Sequence, residues 1–150
     1  MRLYQSSRTP NYIDDFTRYA ICYLGLDKLR GEVTIHLKNK LDGEAYGICW
    51  GDRRECEIHV AHTSFGEKVS REDKLKTIAH ELTHAYQYLT GKLKCDPSIT
   101  EDNKMWKSVW EGKTYRYKPE NESKKPWEVE AVHFENEVYA CWLEDKDLYK

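Results

Sequence analysis

The sequence lacks the apolar segments that would place a protein in or across a membrane. It has no run of about eighteen consecutive apolar residues, and residues 1–8 lack the apolar core of a secretory signal. A formal charge of -2 provides no general attraction to nucleic acid or anionic lipid. We therefore expect a cytoplasmic protein that does not bind a membrane.

The sequence lacks paired cysteines, and this pattern opposes two kinds of structure. The five cysteines are odd in number and widely spaced, and none belongs to a C-x-x-C pair. This opposes both a disulfide framework and a zinc site made of four thiolates. We expect reduced cysteines that pack as small apolar side chains, and the alternative is that Cys95 or another thiol caps a metal in a latent state.

The residues that are abundant indicate a folded protein. Aromatic residues make up 13% of the chain, which argues against disorder even though 33% of the residues are charged. A length of 150 residues suits one hydrophobic core. We expect a single domain spanning residues 1–150, and a monomer.

The most informative motif is the run from His80 to His84, which reads H-E-x-x-H. Histidines four residues apart lie on one face of a helix, so both imidazoles can bind one metal ion. Zn²⁺ acidifies a bound water, and Glu81 is placed to accept the proton as general base. The spacing predicts a hydrolase with Zn²⁺ as cofactor.

The motif lies in a segment with a helical pattern. Between residues 74 and 90, apolar residues recur at three- and four-residue steps. The two histidines project away from this apolar stripe, so they are poorly placed as core residues. Gly91 is typical of the position just after a helix. The alternative interpretation is a polar, solvated helix face.

A catalytic zinc site needs a third protein ligand, and the run after Pro126 supplies candidates. Proline is favoured in the first turn of a helix, and residues 127–143 contain no glycine or proline, so a second helix is predicted here. Its candidate ligands are Glu128, Glu130 and His133. On a helical wheel Glu128 lies nearest the apolar face, followed by Glu130, whereas His133 lies nearly opposite. The geometry narrowly favours Glu128.

H-E-x-x-H followed by P-W-E-x-E-A resembles the gluzincin metallopeptidases, particularly the smallest single-domain members, the minigluzincins. The resemblance implies that Glu128 is the third zinc ligand and that Ala131 is the small residue that lets two helices approach. Many relatives have an aspartate at the position of Val132, where it orients a zinc-binding histidine. Glu135, one turn further along a similar face, could replace it.

The pattern of elements predicts an α+β fold, and the resemblance implies a zincin-like one. Residues 12–26 predict an N-terminal helix. Three runs with strand character, 33–37, 45–50 and 56–61, are separated by turn residues and predict a small, mostly antiparallel sheet with hairpin connections. The active-site helix and a C-terminal glutamate helix follow. The resemblance also implies that an exposed edge strand pairs with an extended substrate peptide.

Other histidines and acids of the strand region are expected to have no metal role. His59 and His62 have the three-residue spacing common among ligands, but in a strand such residues point to opposite faces. His36 has no other histidine near it in the sequence. Glu55 and Glu57 are two residues apart, so they lie on one face of a strand, and we expect that face to be solvated. One of these histidines could line the cleft.

The segment 92–125 is too long for a structureless connection, and we expect it to carry loops on the substrate side. Its part 104–125 has seven basic and three acidic residues interleaved with aromatics, a pattern that could bind nucleic acid. Local packing is favoured instead, because residues 126–150 carry seven acids and two bases. Candidate donors to the attacked carbonyl oxygen are Tyr115, Arg116, Tyr117 and, less well placed, His133.

Together these features predict a zinc-dependent metalloendopeptidase that acts on a protein or peptide substrate. One alternative is a nucleic-acid-associated zinc protease of the SprT type, whose third ligand is a histidine; this chain offers only His133 downstream. Another is a non-catalytic module that contains zinc and binds peptides or regulates a partner. Glu81, which a structural zinc site does not require, counts against the second alternative. A further alternative is that residues 1–10 block the cleft as a latency segment.

Overall fold

The computed structural model describes residues 1–100 and 105–146, and for residues 96–100 it describes the backbone alone. Within these ranges the fold combines α-helices with several small sheets, as expected for an α+β protein. The helices are α1 (Asn11–Leu24), α2 (Arg71–Leu89) and α3 (Pro126–Asp145). The strands are β1 (Arg2–Gln5), β2 (Glu32–Lys38), β3 (Gly47–Gly51), β4 (Glu55–Ala61), β5 (Thr63–Ser64), β6 (Glu67–Lys68), β7 (Leu93–Thr100), β8 (Met105–Trp110) and β9 (Lys113–Tyr117).

The four-stranded main sheet has the order β1-β2-β4-β3. β1 and β2 are parallel, β2 and β4 are parallel, and only β3 runs antiparallel to its neighbour β4. The prediction of a mostly antiparallel sheet is therefore wrong for this sheet, and so is the predicted hairpin between β2 and β3. Turn residues after β2 mark where the chain leaves the sheet, but they do not reveal which strand it pairs with next.

The burial of each strand matches its central or edge position in the main sheet. β4 lies between two partners and buries Cys56, Ile58 and Val60 on its inner face. β3 takes the edge and exposes Ile48 and Trp50 on the outer face. β1, which was not predicted, occupies the opposite edge. Residues 2–5 therefore lie at the far side of the sheet from β3.

The three predicted helices are confirmed. α1 ends at Gly25, whose φ of 78° is the left-handed conformation that glycine adopts without strain. α2 begins after Ser70, whose side chain accepts a hydrogen bond from the Asp73 amide at 3.1 Å. α3 has Pro126 in its first turn, as predicted. α2 packs on β3 and β4 of the main sheet and against α1 and α3. Apolar residues of α1 and α2 form the core with those of β2 and β4.

The segment 92–125 was expected to carry loops on the substrate side, and its described residues instead form mainly strands. It contains β7, β8 and β9, which form an antiparallel sheet in chain order. Glu111 and Gly112 connect β8 to β9 with φ angles of 48° and 84°, as in a tight hairpin turn. Residues 101–104, including the first basic residue of the basic and aromatic stretch, lie outside the described residues, and so do residues 147–150 of the acidic stretch.

The cysteines are all free, but they do not all pack in the core. Cys56 is buried and Cys49 and Cys141 are half-buried, whereas Cys22 and Cys95 are exposed. The expectation that the cysteines pack as small apolar side chains is thus wrong for two of the five. None of the helices in the described ranges has both the length and the apolar character needed to cross a bilayer.

Candidate metal centre

α2 and α3 pack side by side and bring three predicted ligands together. His80 and His84 lie one turn apart on α2, and Glu128 lies in the first turn of α3. His80 Nε2 is 3.1 Å from Glu128 Oε2, and His84 Nε2 is 2.9 Å from Glu128 Oε1. One ligand atom from each residue lies within 4.8 Å of the other two. The three side chains are therefore arranged to hold one metal ion.

The second ring nitrogen of each histidine also has a partner. His80 Nδ1 lies 3.0 Å from Glu135 Oε1, and His84 Nδ1 lies 2.8 Å from Gln87 Oε1. An acceptor at Nδ1 favours the tautomer that carries its hydrogen there, which leaves the Nε2 lone pair directed at the cluster. Glu135 therefore contacts the far nitrogen of His80, the supporting role considered for it from the sequence. Gln87 was not predicted, although its spacing of three residues from His84 on α2 is a signal that could have identified it.

Gln87 also explains why the structure separates the two candidate glutamates. Its Nε2 donates to the carbonyl oxygen of Trp127 at 3.0 Å and to Glu130 Oε1 at 3.2 Å. Glu130 is further paired with Lys92 at 3.3 Å. Glu130 therefore faces Gln87 and Lys92, while Glu128 faces the two histidines.

His133 lies on the solvent side of α3. Its side chain is 66% exposed and lies 3.8 Å from Glu137 one turn further along the helix. The structure therefore does not bring it to His80 and His84. This is the direction that the helical wheel predicted.

Glu81 is buried beside the cluster, with only 6% of its surface exposed. Burial raises the pKa of its carboxyl, although the positive charges of His84 and His80 act in the opposite direction. β3 passes close to it at Gly47: a Cβ there would lie 2.5 Å from Thr77 Cγ2 and 3.1 Å from Glu81 Cγ. The missing side chain at Gly47 therefore lets the edge strand approach the glutamate of the motif.

The three cluster residues form a charged network when no metal is bound. Burial alone would lower the pKa of His80, but hydrogen bonding to Glu128 and nearby negative charge outweigh it and raise that pKa to about 9. The same competition raises the pKa of His84. Burial would raise the pKa of Glu128, but hydrogen bonds from both histidines lower it to about 2. Protons and a cation thus compete for the same nitrogens.

Three candidate donors to the oxygen of an attacked carbonyl are divided between the two faces of β9. Arg116 is exposed, and the ring of Tyr115 packs edge-on against Trp127. Tyr117 is buried, and its hydroxyl donates to Glu122 Oε2 at 3.1 Å. Burial, then the charge of Glu128, raises the pKa of Glu122, so this unpredicted acid lies within electrostatic reach of the cluster. Tyr117 is thus linked to the cluster through Glu122.

Trp127 fixes the start of α3 against the second sheet. It is 2% exposed, and the rings of Trp110, Tyr115 and Tyr117 lie 6.3, 5.6 and 5.4 Å from it. Burial of this indole positions the next residue, Glu128, beside α2. These aromatic rings are used for packing, which favours the local-packing interpretation of the basic and aromatic stretch over stacking on nucleic-acid bases.

No protein family model matches this chain, and no curated protein is significantly similar to it. A proposal about function therefore has to stand on the geometry of His80, Glu81, His84 and Glu128 and on the two motifs that supply them. The resemblance to gluzincins stays a hypothesis.

Proposed function

We propose that the chain is a zinc-dependent metalloendopeptidase with a zincin-like fold. His80, His84 and Glu128 hold Zn²⁺, and Glu81 is the general base. The single observation that carries this proposal is the convergence of two imidazoles and one carboxylate from two helices beside a buried, motif-derived glutamate. The resemblance to minigluzincins leads to the same four residues independently of this geometry.

The donor set suits a catalytic zinc ion. Two histidines and a glutamate are a ligand combination of catalytic zinc sites, and three protein ligands leave a position open for chemistry. Glu135 and Gln87 support the two imidazoles from behind, as partners of zinc ligands do in such sites. When bound, Zn²⁺ would acidify a water and polarise the carbonyl of the substrate.

Glu81 supplies the proton transfers. Its buried carboxyl has a raised pKa, so its basicity is closer to that required near neutral pH than the basicity of an exposed glutamate. It accepts a proton as the nucleophile attacks and then returns a proton to the departing amine. A carboxylate at this position serves hydrolysis, whereas a structural zinc site has no need of it.

β3 supports a peptide as the substrate class. It is an edge strand of the main sheet, and Gly47 brings it against Glu81. An extended peptide can add to such an edge through backbone hydrogen bonds, which give affinity with little side-chain selectivity. A substrate bound in this way would run past the proposed base.

The SprT-type alternative has less support. It requires a third histidine ligand, and His133 is exposed on the far side of α3. The aromatic residues that could stack on nucleic-acid bases are largely packed around Trp127. Glu128 occupies the position that the alternative would assign to a histidine.

The experiment that tests this proposal is the substitution Glu81→Gln, with casein cleavage and zinc content measured on the same samples. Glutamine keeps the shape of the side chain but cannot accept the proton, so we expect unchanged zinc content and activity reduced by about 100- to 10,000-fold. Glu72→Gln, on the exposed side of the same helix, is the matched control and should retain activity. Full activity in Glu81→Gln would remove the proposed mechanism.

A further inference from the structure

A second group of metal-binding side chains lies on the outer face of the main sheet, away from the core. His36 on β2 and His59 on β4 are direct partners in the parallel register of these strands. Glu57 precedes His59 by two residues, so it projects from the same face. All three residues are half-buried. The structure thus joins residues that lie 23 positions apart in the sequence.

The distances within this group are those of a loosely preformed site. His36 Nε2 lies 3.2 Å from Glu57 Oε1, and His59 Nε2 lies 4.0 Å from Glu57 Oε2. One ligand atom from each residue lies within 4.8 Å of the other two. We propose that His36, Glu57 and His59 form a second binding site for a divalent transition-metal ion, separate from the centre at α2 and α3.

Two features of the sheet hold the ligands in place. The ligands project from paired strands, whose backbone is fixed by hydrogen bonding on both edges of β4. The ring of Trp50 on β3 lies 4.8 Å from the ring of His59 at an interplanar angle of 69°, and the two histidine rings are 5.0 Å apart. These contacts restrict the imidazoles, so less entropy is lost when they bind an ion.

The donor set selects the class of ion. Two imidazoles and one carboxylate suit Zn²⁺, Cu²⁺, Ni²⁺ or Co²⁺, whereas Mg²⁺ and Ca²⁺ prefer oxygen ligands alone. The side chains of His36, His59 and Glu57 are 40%, 23% and 42% exposed, so an ion can enter from solvent. Three protein ligands also leave a position for water or for a ligand from outside the chain.

The expectation that His36 and His59 have no metal role considered only spacing within one strand. His59 and His62 are indeed unsuitable as a pair, because residues three apart on an extended strand face opposite ways. The partner of His59 comes from β2 instead. A parallel pairing of this kind brings together residues from distant parts of the chain, so spacing in the sequence did not indicate it.

The test is a titration of the whole chain with Zn²⁺ alone, followed by calorimetry. Wild type should bind two equivalents. His59→Ala and Glu57→Gln should each weaken one of the two binding events by at least about tenfold and leave the other unchanged. Glu57→Gln keeps the shape of the side chain, so it tests the site even if His59→Ala impairs folding. His62→Ala is the control and should still bind two equivalents.

A second arm makes this inference independent of the proposed peptidase. His84→Ala should abolish the binding event at α2 and α3 and leave the event at His36, Glu57 and His59 intact. A single equivalent in wild type that is lost in both His59→Ala and Glu57→Gln and kept in His84→Ala would support this site and contradict only the centre at α2 and α3. Zinc binding that is unaffected by both His59→Ala and Glu57→Gln, whether wild type binds one equivalent or two, would overturn the inference.

Discussion

At the scale of single residues, the proposed zinc centre depends on side chains behind its ligands as well as on the ligands themselves. Glu135 and Gln87 each contact the far nitrogen of one histidine, and Gln87 also binds the backbone of α3 at Trp127. Gln87 is fully buried, so replacing it with an apolar residue would leave unpaired polar groups at a cost of about 1–3 kcal/mol each. Orientation of the imidazoles is therefore built into the contact between the helices.

Removing the partner of His80 should weaken metal binding without removing a ligand. We expect Glu135→Ala to lower zinc affinity by about 10- to 100-fold, because the tautomer and the ring orientation of His80 lose their support. Competition with a chromophoric chelator measures this change. Glu144→Ala, an exposed glutamate on the same helix, should bind zinc as wild type does. Equal affinities in the two variants would exclude a supporting role for Glu135.

At the scale of elements, the close approach of β3 to α2 places a strand edge beside the proposed base. Gly47 allows this approach, and the nearest obstacle to a side chain there is Thr77 Cγ2. Thr77 keeps its hydroxyl on the Asp73 carbonyl oxygen at 2.7 Å, so it is not free to turn away without losing that bond. At position 47 the space between β3 and α2 therefore fits glycine and has no room for a side chain.

Gly47→Ala should therefore push β3 away from α2. We expect a loss of about 1–3 kcal/mol in the free energy of unfolding and a fall in casein cleavage, because the substrate edge moves relative to Glu81. The double variant Gly47→Ala/Thr77→Ser removes the obstructing methyl group, keeps the hydroxyl, and should recover most of both losses. Urea unfolding and casein cleavage measure them. If the double variant is no better than Gly47→Ala, steric contact with Thr77 is not the cause.

The elements also show which parts of the fold a sequence can predict. α1, α2 and α3 have local signals, namely apolar periodicity and glycine or proline at the ends, and all three are found where those signals lie. The order of strands in the main sheet depends on which distant segments pair, and neither the central position of β4 nor the parallel register of β2 follows from turn residues. The hairpin at Glu111 and Gly112 had a local signal, a glycine between alternating strands, that was missed.

The same distinction applies to the site. The H-E-x-x-H motif lies within two turns of one helix. The spacing of His80, Glu81 and His84 in the sequence therefore predicted how their side chains lie relative to one another. To predict Glu128, it was enough to know which face of a second helix points towards the core. The structure brings Glu128 to both histidines. The pair of His36 with His59 depends on a contact between strands far apart in the chain, for which no spacing rule exists.

At the scale of the whole molecule, the cluster couples folding to pH when no metal is bound. The folded pKa of His80, about 9, lies above the ordinary value of 6.5, so its contribution to stability is full below pH 6.5 and is lost as the pH rises through 9. The folded pKa of Glu128, about 2, lies below the ordinary 4.5, so its contribution is present above pH 4.5 and is lost as the pH falls through 2. Both contributions are full between pH 4.5 and 6.5.

Urea unfolding in the presence of a chelator tests this coupling. The difference in unfolding free energy between wild type and Glu128→Gln should be largest between pH 4.5 and 6.5 and should shrink towards pH 9, because the variant lacks the charge that holds protons on the histidines. Glu130→Gln, whose carboxyl faces Lys92 and Gln87, is the control and should not show this profile. A difference that grows from pH 7 to 9 would have the opposite sign and would contradict the charged network.

The most direct test of the zinc centre compares Glu128→Ala with Glu130→Ala, two glutamates in the first turns of one helix. After gel filtration in metal-free buffer, zinc at the centre and chelator-sensitive casein cleavage are measured for both variants and for wild type. We predict that Glu130→Ala matches wild type in zinc content and cleaves casein, and that Glu128→Ala contains one equivalent of zinc less and does not cleave casein. A zinc content equal to that of wild type, together with full cleavage by Glu128→Ala, would contradict the centre formed by His80, His84 and Glu128.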